Sequence, residues 1–204
     1  MKIDITSRYI SNEEIRQDMR PYEDYYKCLQ HTFNSIDSFC DIGCATGHLI
    51  YYVKKNNPTC RIQGYEYFAY HKESSFCQEL IKNNITILDI RDPILSSEKY
   101  TIVNCTEVGE HIDAIYADQL IENAKKLSSK YIIFTWSSHG NHKTPGCDSH
   151  HQHLNPLEFN EYVALIKKHG LKENMELTNK FLNASREYPN FYFWWRESFI
   201  IWEI

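Results

Sequence analysis

Apolar positions along the chain switch between two periods. Through the first 36 residues they recur every three or four. Tyr22, Tyr25, Tyr26, Leu29, Phe33 and Ile36 fall on one helical face, and Pro21 predicts a break between two helices within this lead. From Ser38 onward, short buried runs alternate with helical stripes. Ser38–Ile42, Arg61–Tyr65, Ile85–Leu88, Thr101–Cys105 and Tyr131–Trp136 predict strands. Leu49–Lys55, His71–Lys82 and Ile115–Leu127 predict the helices between them, the last marked by Ala117, Leu120, Ile121, Ala124 and Leu127. Tyr131–Trp136 is apolar without alternation, as a strand covered on both faces requires.

This rhythm predicts an α/β fold: a Rossmann-like open sheet, mostly parallel, with helices on both faces. Further on, Asn155 as N-cap, Pro156 at the first helical position, Glu158 three after the cap and Gly170 as the stop predict another helix. Phe159, Tyr162, Val163 and Ile166 form its apolar face. Met175–Thr178 and Ser198–Glu203 predict two final strands with no helix between them. The expected sheet has about seven strands, of which Ser198–Glu203 alone runs antiparallel. No repeat, low-complexity tract or Pro/Gly-rich linker divides the chain, so residues 1–204 read as one domain with 1–37 as its helical cap.

Composition narrows the function classes. With 204 residues, 42% of them hydrophobic, the chain can bury one full core. Its 22 Lys and Arg against 27 Asp and Glu leave a net charge of −5, and Lys54-Lys55, Lys125-Lys126 and Lys167-Lys168 are isolated pairs. Nucleic acid is therefore not the expected partner. No apolar run reaches membrane-spanning length, and residues 1–10 carry no signal or lipidation pattern. The seven cysteines include no Cys-x-x-Cys pair and read as small core residues of a cytoplasmic, reducing environment.

One turn carries a chemical signature. Asp41-Ile-Gly43-Cys-Ala45-Thr-Gly47 follows the first strand and opens a helix, where small residues let the backbone approach a ligand. The second strand ends in Glu66-Tyr67, nineteen residues beyond Gly47, where a carboxylate can accept from both hydroxyls of a ribose. The third ends in Asp89-Ile90, a polar edge beside an apolar side chain. A dinucleotide site would need a longer Gly-x-Gly-x-x-Gly loop, which Asp41–Gly47 does not supply.

With these motifs, and the run Asn104-Cys-Thr-Glu-Val-Gly-Glu-His111, the chain resembles the class I S-adenosylmethionine-dependent methyltransferases. The resemblance spans roughly residues 38–136. It implies that the turn at Asp41, Gly43, Ala45 and Gly47 wraps the methionine part of S-adenosyl-L-methionine. It likewise implies that Glu66 and Tyr67 hold the ribose, Asp89 and Ile90 contact the adenine, and Thr106 borders the cofactor.

Chemistry is expected beyond the carboxyl ends of the fourth and fifth strands. Glu107, Glu110 and His111 fall on one side if their stretch begins a helical turn, and two carboxylates with an imidazole suit Mg²⁺ or Mn²⁺. The same stretch also reads as a loop packed beneath the methionine part, with His111 as a cap. Residues 137–155 hold five of the ten histidines, His139, His142, His150, His151 and His153. His153, at the expected helix entrance, is the one assigned to the site, as fourth metal ligand or, without a metal, as general base assisted by Glu110 or His111. The segment His153-Leu-Asn-Pro156 is similar to the His-x-Asn segment of some small-molecule and sugar O-methyltransferases.

A site rich in His and Glu favours O-methylation, because an alcohol needs a base or a metal where an amine does not. The expected acceptor is a small molecule or glycan bearing a sugar hydroxyl. Tyr51, Tyr52, Tyr65, Tyr67, Phe68, Tyr70 and the stretch 188–195 offer ring surfaces, or core. Two alternatives stand. Glu107-x-x-Glu110-His111 with a later histidine, His153 or His150, is similar to the metal set of small-RNA 3′-terminal 2′-O-methyltransferases. The chain could otherwise be a non-catalytic, cofactor-binding partner subunit, which would be favoured if Glu107–His111 and His150–His153 were far apart.

Overall fold

A computed structural model describes residues 19–67, 82–138 and 153–204. The predicted helix His71–Lys82, the histidines His139, His142, His150 and His151, and Phe68 and Tyr70 lie outside the described residues, Lys82 excepted.

The chain begins with helix α1 (Met19–Thr32) and then alternates β1 (Ser38–Ile42), α2 (His48–Asn56), β2 (Arg61–Glu66), β3 (Ile85–Ile87), β4 (Tyr100–Cys105), α3 (Ala117–Leu127) and β5 (Ser128–Phe134). It closes with α4 (Phe159–Lys168), β6 (Lys172–Glu173), α5 (Met175–Ser185) and β7 (Ile200–Glu203). The seven strands form one sheet in the order β3-β2-β1-β4-β5-β7-β6. Strands β1 to β5 pair in parallel, and β7 is antiparallel to both neighbours, as expected.

Strand alternation splits the core into two layers. Phe39, Ile102, Ile133 and Ile201 face one side, against Leu29 of α1, Ile50 of α2 and Phe181 of α5. Cys40, Val103, Ile132 and Trp202 face the other, against Leu120 of α3 and Tyr162 of α4. Both faces of the central strands are thus covered, which is why they lack polar alternation. Cys28, Cys40, Cys44, Cys60 and Cys105 are free and buried, in keeping with a packing role.

Three local expectations are corrected. Pro21 lies inside α1, at its third residue, where a proline forfeits no helical bond, and the helix expected ahead of it falls outside the described residues. Helix α4 is capped by Glu158, not Asn155. Glu158 and Glu161 form a reciprocal capping box, with the Glu158 amide donating to Glu161 Oε2 at 3.0 Å. Asn155 is committed elsewhere, its carbonyl accepting from the Trp136 indole at 2.7 Å. Gly170 does end the helix, in the left-handed region at φ +79°.

The third correction is larger. Met175–Thr178 opens helix α5, so a helix does separate the two last strands. Four residues of alternation fit either period. What decides is that Asn174 Oδ1 accepts from the Leu177 amide at 2.9 Å, while Leu177, Phe181 and Ala184 continue at helical spacing into the core. Phe181 stacks on Phe199 with centroids 3.9 Å apart and meets Tyr25 edge-on at 5.1 Å. Phe181→Ala should therefore cost about 3–5 kcal/mol in urea unfolding. A loss near zero would contradict this packing.

Candidate active site

The carboxyl ends of β1, β2, β4 and β5 converge through backbone bonds and one steric fit. The Gly43 and Cys44 amides donate to the Tyr65 carbonyl of β2 at 2.8 and 3.1 Å, and the Gly47 amide donates to Cys44 at 2.8 Å. Gly43 (φ +73°) and Gly47 (φ +81°) hold left-handed conformations that glycine adopts without strain. Ala45 takes one too, at φ +47°, and its amide donates to Glu66 Oε2 at 2.7 Å. A carboxylate at the end of β2 thus holds the strained residue of the turn. A Cβ at Gly43 would run into Val108 Cγ2, so only glycine lets the first turn sit against the β4 loop.

Asp41 and Asn104 face each other across β1 and β4. Asn104 Nδ2 donates to Asp41 Oδ1 at 2.7 Å and to Thr106 Oγ1 at 3.2 Å, and its own Oδ1 accepts from the Tyr25 hydroxyl at 2.8 Å. Burial pushes the Asp41 carboxyl up to about 7, with the Glu66 charge adding to the rise and Asn104 opposing it. At the end of β3, Asp89 is engaged by Arg91, whose Nε donates at 2.8 and 3.1 Å and whose Nη2 donates at 2.6 Å. That bonding holds the Asp89 carboxyl below its ordinary value. The Arg91 guanidinium lies 5.3 Å from the exposed Tyr67 ring, while Ile90 is buried. Asp89 therefore does not offer a free carboxylate to a base.

Beyond β4, Glu107 occupies the left-handed region at φ +55°. Thr135, just past β5, clamps it twice. Thr135 Oγ1 accepts from the Glu107 amide at 2.9 Å and donates to Glu107 Oε1 at 2.7 Å. Gly109–His111 form a short 3₁₀ turn, and a Cβ at Gly109 would strike the Trp136 ring. The Leu154 and Asn155 amides donate to the Glu110 carbonyl at 2.7 and 3.0 Å, which pins the segment carrying His153 onto this turn.

As a result the His111 and His153 rings lie 4.9 Å apart, and ligand atoms of Glu110, His111 and His153 fall within 4.8 Å of one another. Glu107 stands outside that tight group of three, bonded to Thr135, though its carboxyl is within hydrogen-bonding reach of Glu110. Glu110 is fully buried, and no described group gives either carboxyl oxygen a well-formed hydrogen bond. Burial first, and then the Glu107 charge, push the Glu110 carboxyl well up; burial raises Glu107 as well, with Thr135 and His153 opposing. Two buried carboxyls this close either share a proton or surround a cation.

Tyr25, Arg91, Thr135 and Trp136 were not among the site residues expected from the sequence. Only the pairing of β4 with β5, with Cys105 opposite Phe134, foretells that Thr135 stands beside Glu107.

No protein-family model matches the sequence, and no curated protein matches it. Solved structures do resemble the fold. A protein assigned as an O-methyltransferase from Nostoc punctiforme PCC 73102 has a TM-score of 0.61 at 14% identity, covering 93% of this chain and 58% of its own. An O-methyltransferase family protein from Burkholderia thailandensis scores 0.60 at 12% identity, covering 80% and 54%. The plantazolicin methyltransferase BpumL, solved in complex with SAH, scores 0.58 at 15% identity, covering 95% and 87%. The chain spans a little over half the length of the first two. The likeness is one of fold, which this chain shares with these methyltransferase structures.

The Asp41 carboxyl generates a test by its proton linkage. Between the ordinary carboxylate value and about 7, the folded chain keeps a proton that the unfolded chain has released. Its contribution to stability therefore falls as pH rises through that window. Asp41→Asn keeps an acceptor for Asn104 and removes the slope. Melting curves should show the variant gaining on the wild type from about pH 4 to about pH 7. A difference independent of pH would refute the assignment.

Proposed function

We propose that the chain is an S-adenosylmethionine-dependent O-methyltransferase acting on a sugar-type hydroxyl, with Glu110, His111 and His153 at its reaction centre. The observation that carries this reading is the buried Glu110 carboxyl, without a well-formed hydrogen bond from any described group, beside two imidazoles on the loop whose Val108 packs on Gly43. The residues present fit the cofactor. The turn packs against Val108 at Gly43 with no side chain between them, its Ala45 amide bonds the Glu66 carboxylate, and that carboxylate lies at its edge. When bound, the cofactor supplies a methyl group activated on a sulfonium.

The chain's own residues then have separate tasks. Gly43, Ala45 and Gly47 shape the turn, and Glu66 steadies it while presenting a carboxylate where a ribose diol would lie. Tyr67 and Ile90 are assigned to the nucleoside, and Asp89 acts through Arg91. Thr106 and Asp41 are tied to Asn104 behind the turn. His153, joined to the Glu110 turn through its neighbours Leu154 and Asn155, is assigned to take the proton of an acceptor hydroxyl.

The same residues fit a divalent cation. The orphaned Glu110 oxygens and the His111 and His153 nitrogens make a mixed oxygen and nitrogen set, with Glu107 reaching it through Glu110. Mg²⁺ or Mn²⁺ there would neutralise the buried carboxyls, fix a vicinal diol and lower the pKa of one hydroxyl. The same cluster supports a second reading, a small-RNA 3′-terminal 2′-O-methyltransferase, against which stands the net charge of −5. The closeness of His111 and His153 disfavours a non-catalytic partner subunit.

Transfer of labelled methyl to glycans, small phenols and short RNA, with and without EDTA, tests the reading. Chelation should abolish transfer if the cation is required; His153→Ala should lower it about 10²–10⁴-fold in either case. Full activity of His153→Ala would remove that residue from the reaction. In calorimetry, Glu66→Ala should lose about 1–3 kcal/mol of cofactor binding, the cost of an unpaired polar contact. Unchanged affinity would take Glu66 out of the site.

A further inference from the structure

Beside the 3₁₀ turn Phe193–Arg196 opens a cleft of about 610 Å³. Among the described residues its lining holds three arginines, Arg20, Arg186 and Arg196, and no carboxylate, in a chain whose net charge is −5. Arg196 is committed to its own fold, donating from Nε to Ser185 Oγ at 3.0 Å and from Nη2 to the Ser185 carbonyl at 2.5 Å. Arg20 and Arg186 are exposed, and their side chains have no ion-pair partner among the described residues. The nearby buried Asp24 does not answer them. It takes Lys27 at 3.2 Å and the Asn190 amides at 3.1 Å.

The rest of the wall is aromatic. Tyr192 stacks on Trp194 with centroids 4.3 Å apart and planes 15° apart, and Trp194 and Phe193 remain 39% and 63% exposed. Exposed rings beside guanidinium groups that have no ion-pair partner among the described residues make a surface suited to a ligand. Trp194 also lines a small cavity with Glu107, Trp136 and Ser198, so one ring belongs both to the cleft and to the wall of the reaction centre.

We propose that this cleft binds the phosphate of the acceptor, a small sugar or nucleoside ring carrying a phosphate monoester. Arg20 and Arg186 pair with the phosphate through charge-assisted hydrogen bonds. Trp194 and Phe193 give the ring a surface to lie on and direct its hydroxyls toward Glu107 and Glu110. The inference rests on the methyltransferase reading for the fate of the ring, and on the cleft alone for the phosphate.

The test is calorimetry on the full chain with adenosine 5′-monophosphate, adenosine, glucose 1-phosphate and glucose. At least one phosphorylated probe should bind about tenfold or more tightly than its unphosphorylated counterpart. Whichever phosphate binds more tightly names the source of the ring. The double variant Arg20→Ala/Arg186→Ala, exposed at both positions, should lose that preference while melting and binding S-adenosylmethionine like the wild type. Lys125→Ala/Lys126→Ala, which changes net charge equally on α3, should keep it. No preference for phosphate in the wild type, or a preference that survives the double variant, overturns the inference. Methyl transfer to a phosphorylated acceptor at equal rates in wild type and double variant overturns it too, and leaves the methyltransferase reading standing. Failure of the wild type to bind S-adenosylmethionine overturns that reading instead, and leaves the phosphate titration to be judged by itself.

Discussion

Asp41 and Asn104 meet side by side in the middle of the sheet, one at the end of β1 and the other at the end of β4, and the carboxyl edge is organised around that pairing. Parallel neighbours end together, so the turn after β1 and the loop after β4 emerge at one height. Gly43 then packs on Val108 without a side chain between them. The Tyr25 hydroxyl reaches Asn104 from α1, which ties the N-terminal helix to the same point. A slip of one residue in β1 against β4 would turn each of these side chains to the opposite face.

Around this centre the fold tolerates arrangements that are unfavourable by themselves. Ala45 and Glu107 hold positive φ angles, and three carboxyls, Asp41, Glu107 and Glu110, are raised chiefly by burial. Strain and buried charge persist where neighbours over-determine the geometry, as Glu66 does for Ala45 and Thr135 for Glu107. Glu110 differs, since no described group satisfies its oxygens. A protein retains such a group at a cost in stability, and a proton or a cation supplied from outside removes the penalty.

The C-terminal quarter turns this edge into a pocket. Trp136 is held by Ser198 at its amide and by Asn155 at its indole, which links the end of β5 to the lead into β7 and to the segment that carries His153. The aromatic stretch ahead of β7 is divided in its service. Phe191 and Trp195 are buried against Tyr25, while Phe193 and Trp194 stay exposed.

The parts legible in the sequence are those fixed by local period and local chemistry. The alternation of buried runs with helical stripes foretold the sheet and its antiparallel β7, and Asp41–Gly47 with Glu66 foretold a tight turn beside a carboxylate, because each depends on neighbours in the chain. Tertiary structure decided the rest. Met175–Thr178 was ambiguous over four residues until the Asn174 cap and the burial of Phe181 made it a helix. Glu158 became the cap of α4 once the backbone of Asn155 was drawn to Glu110 and Trp136. His153 stands beside His111 because two amides bond the Glu110 carbonyl across more than forty residues of chain. Spacing along the chain carries no information about bonds of that reach; they exist only once β4 and β5 lie side by side.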